Sequence, residues 1–265
     1  MQMMTRLADH RGGHVPAAGG ADAPPCSRCR YASILRVNMA CDPHDVCVMA
    51  ESGRRIEHFF RRYPGEAESY LDDDFWERRA IAARHAPLAE IGRLAHDGDE
   101  VVRRVVASRL SPDAVAVLMR DPDREVRITV AHRLAPEHLP RMADDPDYMV
   151  RVVVAQRLPH GKLTRLAGDA EREVRKTVAR RLPAFALARL RGDAEAEVRR
   201  IVAERALPPD VVPLLDDDDW LVRLAAVQRA PVETIRHCLA DAEAEVRRAA
   251  WTRLQRGDPL PELAQ

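Results

Sequence analysis

The dipeptide Val-Arg recurs every 24 residues through most of this 265-residue chain, at Val102-Arg103, Val126-Arg127, Val150-Arg151, Val174-Arg175, Val198-Arg199, Val222-Arg223 and Val246-Arg247. A degraded earlier copy stands at Arg78-Arg79. A strict period of this length is the mark of a solenoid, because a unit so short cannot bury its apolar face alone and must stack on its neighbours. Residues 73–254 are therefore read as eight repeats of one architecture. Chemistry is expected where the pattern breaks, and four of the five cysteines lie outside it.

Aligned in register, the repeats show fixed columns. Asp occupies one without interruption: Asp73, Asp97, Asp121, Asp145, Asp169, Asp193, Asp217 and Asp241. Pro follows in two repeats (Pro122, Pro146), and an acid stands two places on in seven, as in Asp99, Asp123 and Glu171. This reads as a helix start in which the Asp column caps free N–H groups, Pro takes the first helical position and the second acid complements the helix dipole. Apolar residues then recur at i, i+4 and i+8, as in Val102, Val106 and Leu110, and a proline closes most repeats. The spacing predicts one helix of about three turns per repeat.

The rest of each repeat is too short for a second full helix but keeps one apolar column: Leu94, Leu118, Met142, Leu166, Leu190, Leu214 and Cys238. A turn of 3₁₀ helix fits the length. A strand is the rival, but these segments are interrupted by proline and do not alternate. The fold expected is all-α, a solenoid of α-helix and short 3₁₀ helix with no β-sheet. Cys238, standing in a Leu column, is expected in the core.

Arginine forms two columns. The first is Arg79 and the Arg of Val-Arg in the seven later repeats, and the second runs His85, Arg109, Arg133, Arg157, Arg181, Arg205, Arg229 and Arg253. Either they grip an anionic partner, or the first pairs with the Asp column and the second complements helix C-termini. Residues 73–254 carry 32 Lys and Arg against 31 Asp and Glu, without the basic excess of a nucleic-acid wrapper. This balance favours pairing, and since an Asp and an Arg six apart on one helix do not face each other, the pairs are expected between stacked repeats.

The other segments are read as a flexible tail at 1–23, a four-cysteine segment with a capping helix at 24–72, and a C-terminal tail at 255–265. The first 25 residues have no apolar stretch of the signal-peptide kind, and no run approaches 18 apolar residues, so a cytoplasmic protein without membrane spans is expected. Cys26, Cys29, Cys41 and Cys47 follow a C-x2-C-x11-C-x5-C spacing. Four thiols within so short a segment point to a metal, either an iron–sulfur cluster or zinc, and spacing leaves both open. His44 and Asp45 are near enough in sequence to be further ligands. Between Val48 and Tyr63 runs an aromatic and basic segment, read as a helix whose aromatics cap the first repeat.

The 24-residue units, such as Asp-Pro-Asp-Arg-Glu-Val-Arg at 121–127 followed by Val130, Ala131, Arg133 and Leu134, and the cysteine segment just upstream resemble the leucine-rich repeat variant proteins over about residues 24–254. The resemblance implies a right-handed superhelix of alternating α and 3₁₀ helices behind a small domain whose four cysteines bind a [4Fe–4S] cluster. It makes Cys26, Cys29, Cys41 and Cys47 the implied ligands, and suggests a redox accessory role linked to nitrogen fixation. The first repeat departs from the pattern at Arg78 and Ala86, and the seventh at Ala230. The function expected is an iron–sulfur binding protein, acting in electron transfer or redox sensing, whose solenoid docks a protein partner. The alternative is a nucleic-acid-binding solenoid with structural zinc. No phosphate loop, nucleophile–base arrangement or second acidic metal cluster is visible, so no catalytic residue is named.

Overall fold

The computed structural model describes residues 26, 29–35 and 41–256. The tail expected at 1–23 and residues 257–265 of the C-terminal tail lie outside these. Helix α1 (Gly53–Arg62) precedes the repeats. Seven repeat helices span ten residues each: α2 (Trp76–His85), α3 (Glu100–Arg109), α4 (Arg124–Arg133), α5 (Tyr148–Arg157), α6 (Arg172–Arg181), α7 (Ala196–Arg205) and α8 (Trp220–Arg229). The last, α9 (Ala244–Arg256), has thirteen and runs past residue 254, where the repeats were expected to end.

The returns between helices are 3₁₀, as at Gly92–His96, Ala114–Leu118, Leu139–Met142 and Arg236–Ala240. Three carry an additional α-turn first, at Leu88–Ile91, His160–Leu163 and Pro208–Val211, which the expectation of a single turn missed. Among the described residues there is no strand, only an isolated bridge between Asp42 and Val46. The fold is an all-helical repeat, and no described helix is long and apolar enough to cross a membrane.

The helix face reads as the sequence predicts: Val102, Val106 and Ala107 are fully buried, as are Val174, Val178 and Leu182. The returns add two columns where the sequence showed one. Ile91, Val115, Leu139, Leu163, Leu187, Val211 and Ile235 are fully buried, each three residues before the recognised Leu column. In a 3₁₀ turn, i and i+3 eclipse, so both side chains point to the same interior. Cys238 is 2% exposed in its Leu slot.

The described residues divide into two compact bodies, one up to residue 133 and one from residue 134. In the first, α2 packs between α1 and α3, and α3 packs on α4; in the second, α5 to α9 stack in order.

The Asp column does something other than capping the helix. Asp97 Oδ1 accepts the backbone N–H of Asp99 at 2.9 Å, and the same turn recurs at Asp121, Asp145, Asp169, Asp193 and Asp217. The N-cap is the second acid: Asp99 accepts from Val101 and Val102, Asp123 from Val126, Asp147 from Met149 and Asp219 from Leu221 and Val222. Pro122 and Pro146 stand just before the cap, since α4 and α5 begin at Arg124 and Tyr148.

The outer oxygens of the Asp column receive the first arginine column across the repeat boundary. Arg79 grips Asp97 through Nε and Nη2, both at 2.8 Å. Arg103 grips Asp121 at 2.7 and 2.9 Å, Arg151 grips Asp169 at 2.7 and 2.9 Å, and Arg175 grips Asp193 at 2.7 and 3.0 Å. Arg199 with Asp217 and Arg223 with Asp241 repeat the geometry. Each arginine turns its Nη1 back to its own repeat, as Arg175 does to the carbonyls of Asp169 and Ala170. The pairs are therefore between repeats, bidentate and mostly buried, the Asp121 side chain being 3% exposed.

The second column reaches the opposite way, to the carbonyls that end the preceding helix. Arg109 donates to Ala83 and Ala86, both at 2.6 Å, Arg133 to Leu110, Arg181 to Ala155 and Leu158, Arg229 to Ala206, and Arg253 to Val227 and Ala230. These are orphan carbonyls of a helix C-terminus, facing a cation at the negative dipole end.

The first repeat explains its own departures. No earlier repeat supplies Asp73 with an arginine, and Arg78, in the Val column, donates to both Asp73 oxygens at 2.6 and 2.7 Å. At the other end Arg247 is exposed and donates to the carbonyls of Asp241 and Ala242 in its own repeat.

Two outcomes follow from the bridge. Removing one partner of a buried pair strands the other, so Asp193→Ala should destabilise the protein by about 3 kcal/mol. With Arg175→Met added, the combined loss should fall short of the sum by at least about 1 kcal/mol in denaturant unfolding, and strict additivity would show that the pair is uncoupled. Burial opposes the charged forms of Asp97, Asp169 and Asp217, but hydrogen bonds from Arg79, Arg151 and Arg199 and from backbone N–H groups outweigh it and hold these carboxyls below the usual range. A lowered folded-state pKa contributes stability above the unfolded value of about 3.9 and loses it as pH falls through the folded value. The melting temperature should stay level from neutral pH to about 5 and drop steeply below about 4, whereas a flat profile to about pH 2 would contradict the bridge's contribution.

Candidate metal centre

The head of the protein brings two short segments together beside α1. In the first, the backbone N–H of Cys29 donates to the Cys26 carbonyl at 3.3 Å, and the N–H of Ala32 to the Cys29 carbonyl at 3.1 Å, which leads into a short α-turn at Ala32–Leu35. In the second, Cys41 and Cys47 flank a tight loop. The N–H of Val46 donates to the Asp42 carbonyl at 2.7 Å, and the Asp42 side chain accepts the His44 N–H at 2.8 Å. The Cys41 thiol donates to the Val46 carbonyl at 3.2 Å, and the Cys47 N–H donates to the Arg55 carbonyl, pinning the loop to α1.

The two thiols of the second segment feel those of the first. Burial first, then the neighbouring sulfurs of Cys47, Cys29 and Cys26, push the Cys41 thiol up to about 11. Cys47, 4% exposed, is also pushed up by burial and by Cys29 and Cys26, partly offset by backbone N–H groups of Met49 and Ala50 directed at its sulfur. Four soft sulfur donors that raise one another's cost of ionisation have the donor chemistry that a cationic metal or cluster would stabilise.

His44 is exposed and joins the loop hydrogen bonds through its backbone. Asp45 turns to α1, its Oδ1 lying 3.0 Å from His58 Nδ1 and 3.6 Å from Arg54.

Beside the cysteines lies an aromatic cluster on α1. Phe59 and Phe60 are buried, with ring centroids 5.4 Å apart. Phe59 also meets Tyr31 at 5.4 Å and Tyr63 at 5.2 Å, while Phe60 meets Tyr70 at 5.5 Å and stacks on His85 at 6.1 Å. The segment read as a cap does cover the first repeat. His85 occupies the first place in the second arginine column, where no preceding repeat offers carbonyls, and its Nε2 lies 3.1 Å from Glu57 of α1.

One set of residues escaped the sequence reading. Arg30 lies over the rings of Tyr31 and Tyr70, 4.8 and 5.1 Å from their centroids, and is 3.3 Å from Glu66, which also accepts from the Tyr31 hydroxyl. Burial pushes the Tyr31 and Tyr70 hydroxyls above the ordinary phenol range. Adjacency to Cys29 is the one sequence signal for this network, and the distant partners Glu66 and Tyr70 carry none.

A model of the leucine-rich repeat variant family matches residues 124–147 and 172–195. A solved structure, described as a leucine-rich repeat variant with a novel repetitive protein structural motif, superposes with a TM-score of 0.81 at 51% identity, covering 86% of this chain and 98% of that one. A protein of Rhodobacter capsulatus, named as an uncharacterized 27.7 kDa protein in the nifB 3' region, is 37% identical over 98 residues, 37% of this chain. The match spans 40% of that protein's length.

Because Phe60 joins the cysteine head to the first repeat, Phe60→Ala should cost about 3–5 kcal/mol. The loss should be read in hydrogen exchange first at α1 and α2, and uniform loosening across all repeats would argue against a local cap.

Proposed function

The chain belongs to the leucine-rich repeat variant family, and from that premise we propose that it is an iron–sulfur protein whose repeats dock a protein partner. Cys26, Cys29, Cys41 and Cys47 would hold a [4Fe–4S] cluster. What supports this reading is that two segments before the first repeat carry the four cysteines, and that Cys29 and Cys26 of the first add to burial in raising the Cys41 and Cys47 thiols of the second. When bound, such a cluster supplies one-electron transfer at a potential tuned by its surroundings.

The chain's own residues have clear parts in this. Met49 and Ala50 direct backbone N–H groups at the Cys47 sulfur, and Arg55 holds the second loop in place through its carbonyl. Hydrogen bonding and burial are the means by which a protein sets a cluster's potential. With four cysteine ligands and no open position, the site suits electron transfer or redox sensing better than substrate chemistry. The relative named for the nifB region supports an accessory role in nitrogen fixation.

A nucleic-acid reading would rest on both arginine columns, and it loses force because the first is committed to its aspartates. The cluster is tested by purifying the full chain without oxygen and measuring visible absorption, iron and acid-labile sulfide. About four of each per chain is expected, with loss of both in Cys41→Ser. A colourless, zinc-containing protein would refute the assignment.

A further inference from the structure

The two arginine columns differ in what neutralises them. The first meets a carboxylate at each bridge described above, which raises the pKa of Arg151, Arg175, Arg199 and Arg223. In the second body, Arg181, Arg205 and Arg229 stand in successive repeats and donate only to carbonyls: Ala155 and Leu158, Ala179, and Ala206. Among the described residues, none of the three has a carboxylate within ion-pair distance. Carbonyl dipoles offset part of a cation and leave a formal charge. Burial, and then the neighbouring Arg229, lower the pKa of Arg205, opposite to the first column. Like charges held side by side and partly desolvated are costly, and an incoming anion would relieve that cost.

The row is also reachable. All three residues are part-exposed, and Arg180, exposed and adjacent to Arg181 in sequence, adds a further cation. The carboxylate at the same place in the next repeat, Glu204, lies 3.5 Å from Arg200 and is already engaged. One helical turn before the arginines stand Thr177, Ile201 and Ala225, small or aliphatic and without a ring on which a base would stack. Recessed cations suit flexible side chains better than the phosphates of a rigid duplex, so the chemistry favours a carboxylate-bearing chain.

We propose that Arg181, Arg205 and Arg229 form a docking track for an extended acidic polypeptide segment, its carboxylates seated on successive guanidiniums. The proposal rests on reading the repeats as a protein-docking surface and adds the partner's chemistry and place.

The test is fluorescence anisotropy with the full-length, cluster-loaded protein at low salt, using labelled oligoglutamate, oligolysine and oligothymidine probes. Oligoglutamate should bind, and binding should weaken as salt rises. Changing Arg181, Arg205 and Arg229 together to Gln removes the charges and keeps a shorter neutral N–H donor at each place, and should weaken oligoglutamate binding at least about tenfold. Arg180→Glu leaves those interior bonds intact and should also weaken it, which carries the test if the triple variant fails to fold. Failure of oligoglutamate to bind, undiminished binding by a folded triple variant or by Arg180→Glu where the triple variant does not fold, or tighter binding of oligothymidine would each overturn the proposal. Visible absorption of the same samples reports the cluster separately, so a failed track and a failed cluster are told apart.

Discussion

The bidentate bridge from one repeat's arginine to the next repeat's aspartate is the interaction on which the rest of the fold depends. A single guanidinium ties two carbonyls of its own turn to a carboxylate of the following repeat. That carboxylate in turn holds the N–H of the residue about to cap the next helix. The turn, the stacking register and the start of the next helix are thus set by one connected group. Buried ion pairs stabilise poorly when lone pairs and protons are left unmet. Here the remaining oxygen and nitrogen sites are used, which explains how repeats with almost no net charge keep a row of charges inside.

The second column ties the repeats from the opposite end of the helix and in the opposite direction. Within the second body, forward bridges at the N-terminal side and backward hydrogen bonds at the C-terminal side hold a helix such as α6 at both ends by its neighbours. The two fastenings are chemically unequal, since one ends on carboxylates and the other on carbonyl oxygens. The same residue type therefore closes one edge of the repeat electrostatically and leaves the other positive. A regular array of this kind offers surface and rigidity, and the distinctive donor chemistry of the chain lies before it, at the four cysteines.

The ends show what a repeat requires when its neighbour is missing. Asp73 has no preceding arginine and takes Arg78 from its own helix, at the cost of a valine in the core column. His85 has no preceding carbonyls and turns to Glu57, while Phe60 covers the apolar face that a repeat would have covered. The irregularities of the first repeat are thus substitutions for lost partners. In the sequence they read only as departures, because the partner that gives them meaning is Asp73 in one case and a separate helix in the other.

The helices and their length, the absence of sheet from the described residues, and the buried place of Cys238 were legible in the 24-residue period, because periodicity reports which side of a local element must avoid water. The pairing of the Asp and first Arg columns between repeats was also legible, since residues six apart on a helix cannot face one another. The N-cap was misread: Asp and the acid two places on are both good caps, and only the position where the helix begins separates them. The second buried column of the returns, the Arg30–Tyr31–Glu66 network and the unlike neutralisation of the two arginine columns belonged to the tertiary structure alone. Sequence spacing specifies what lies on one face of one element. Which acceptor a long, flexible guanidinium reaches is decided by packing across repeats, where a carboxylate and a carbonyl compete for the same charge.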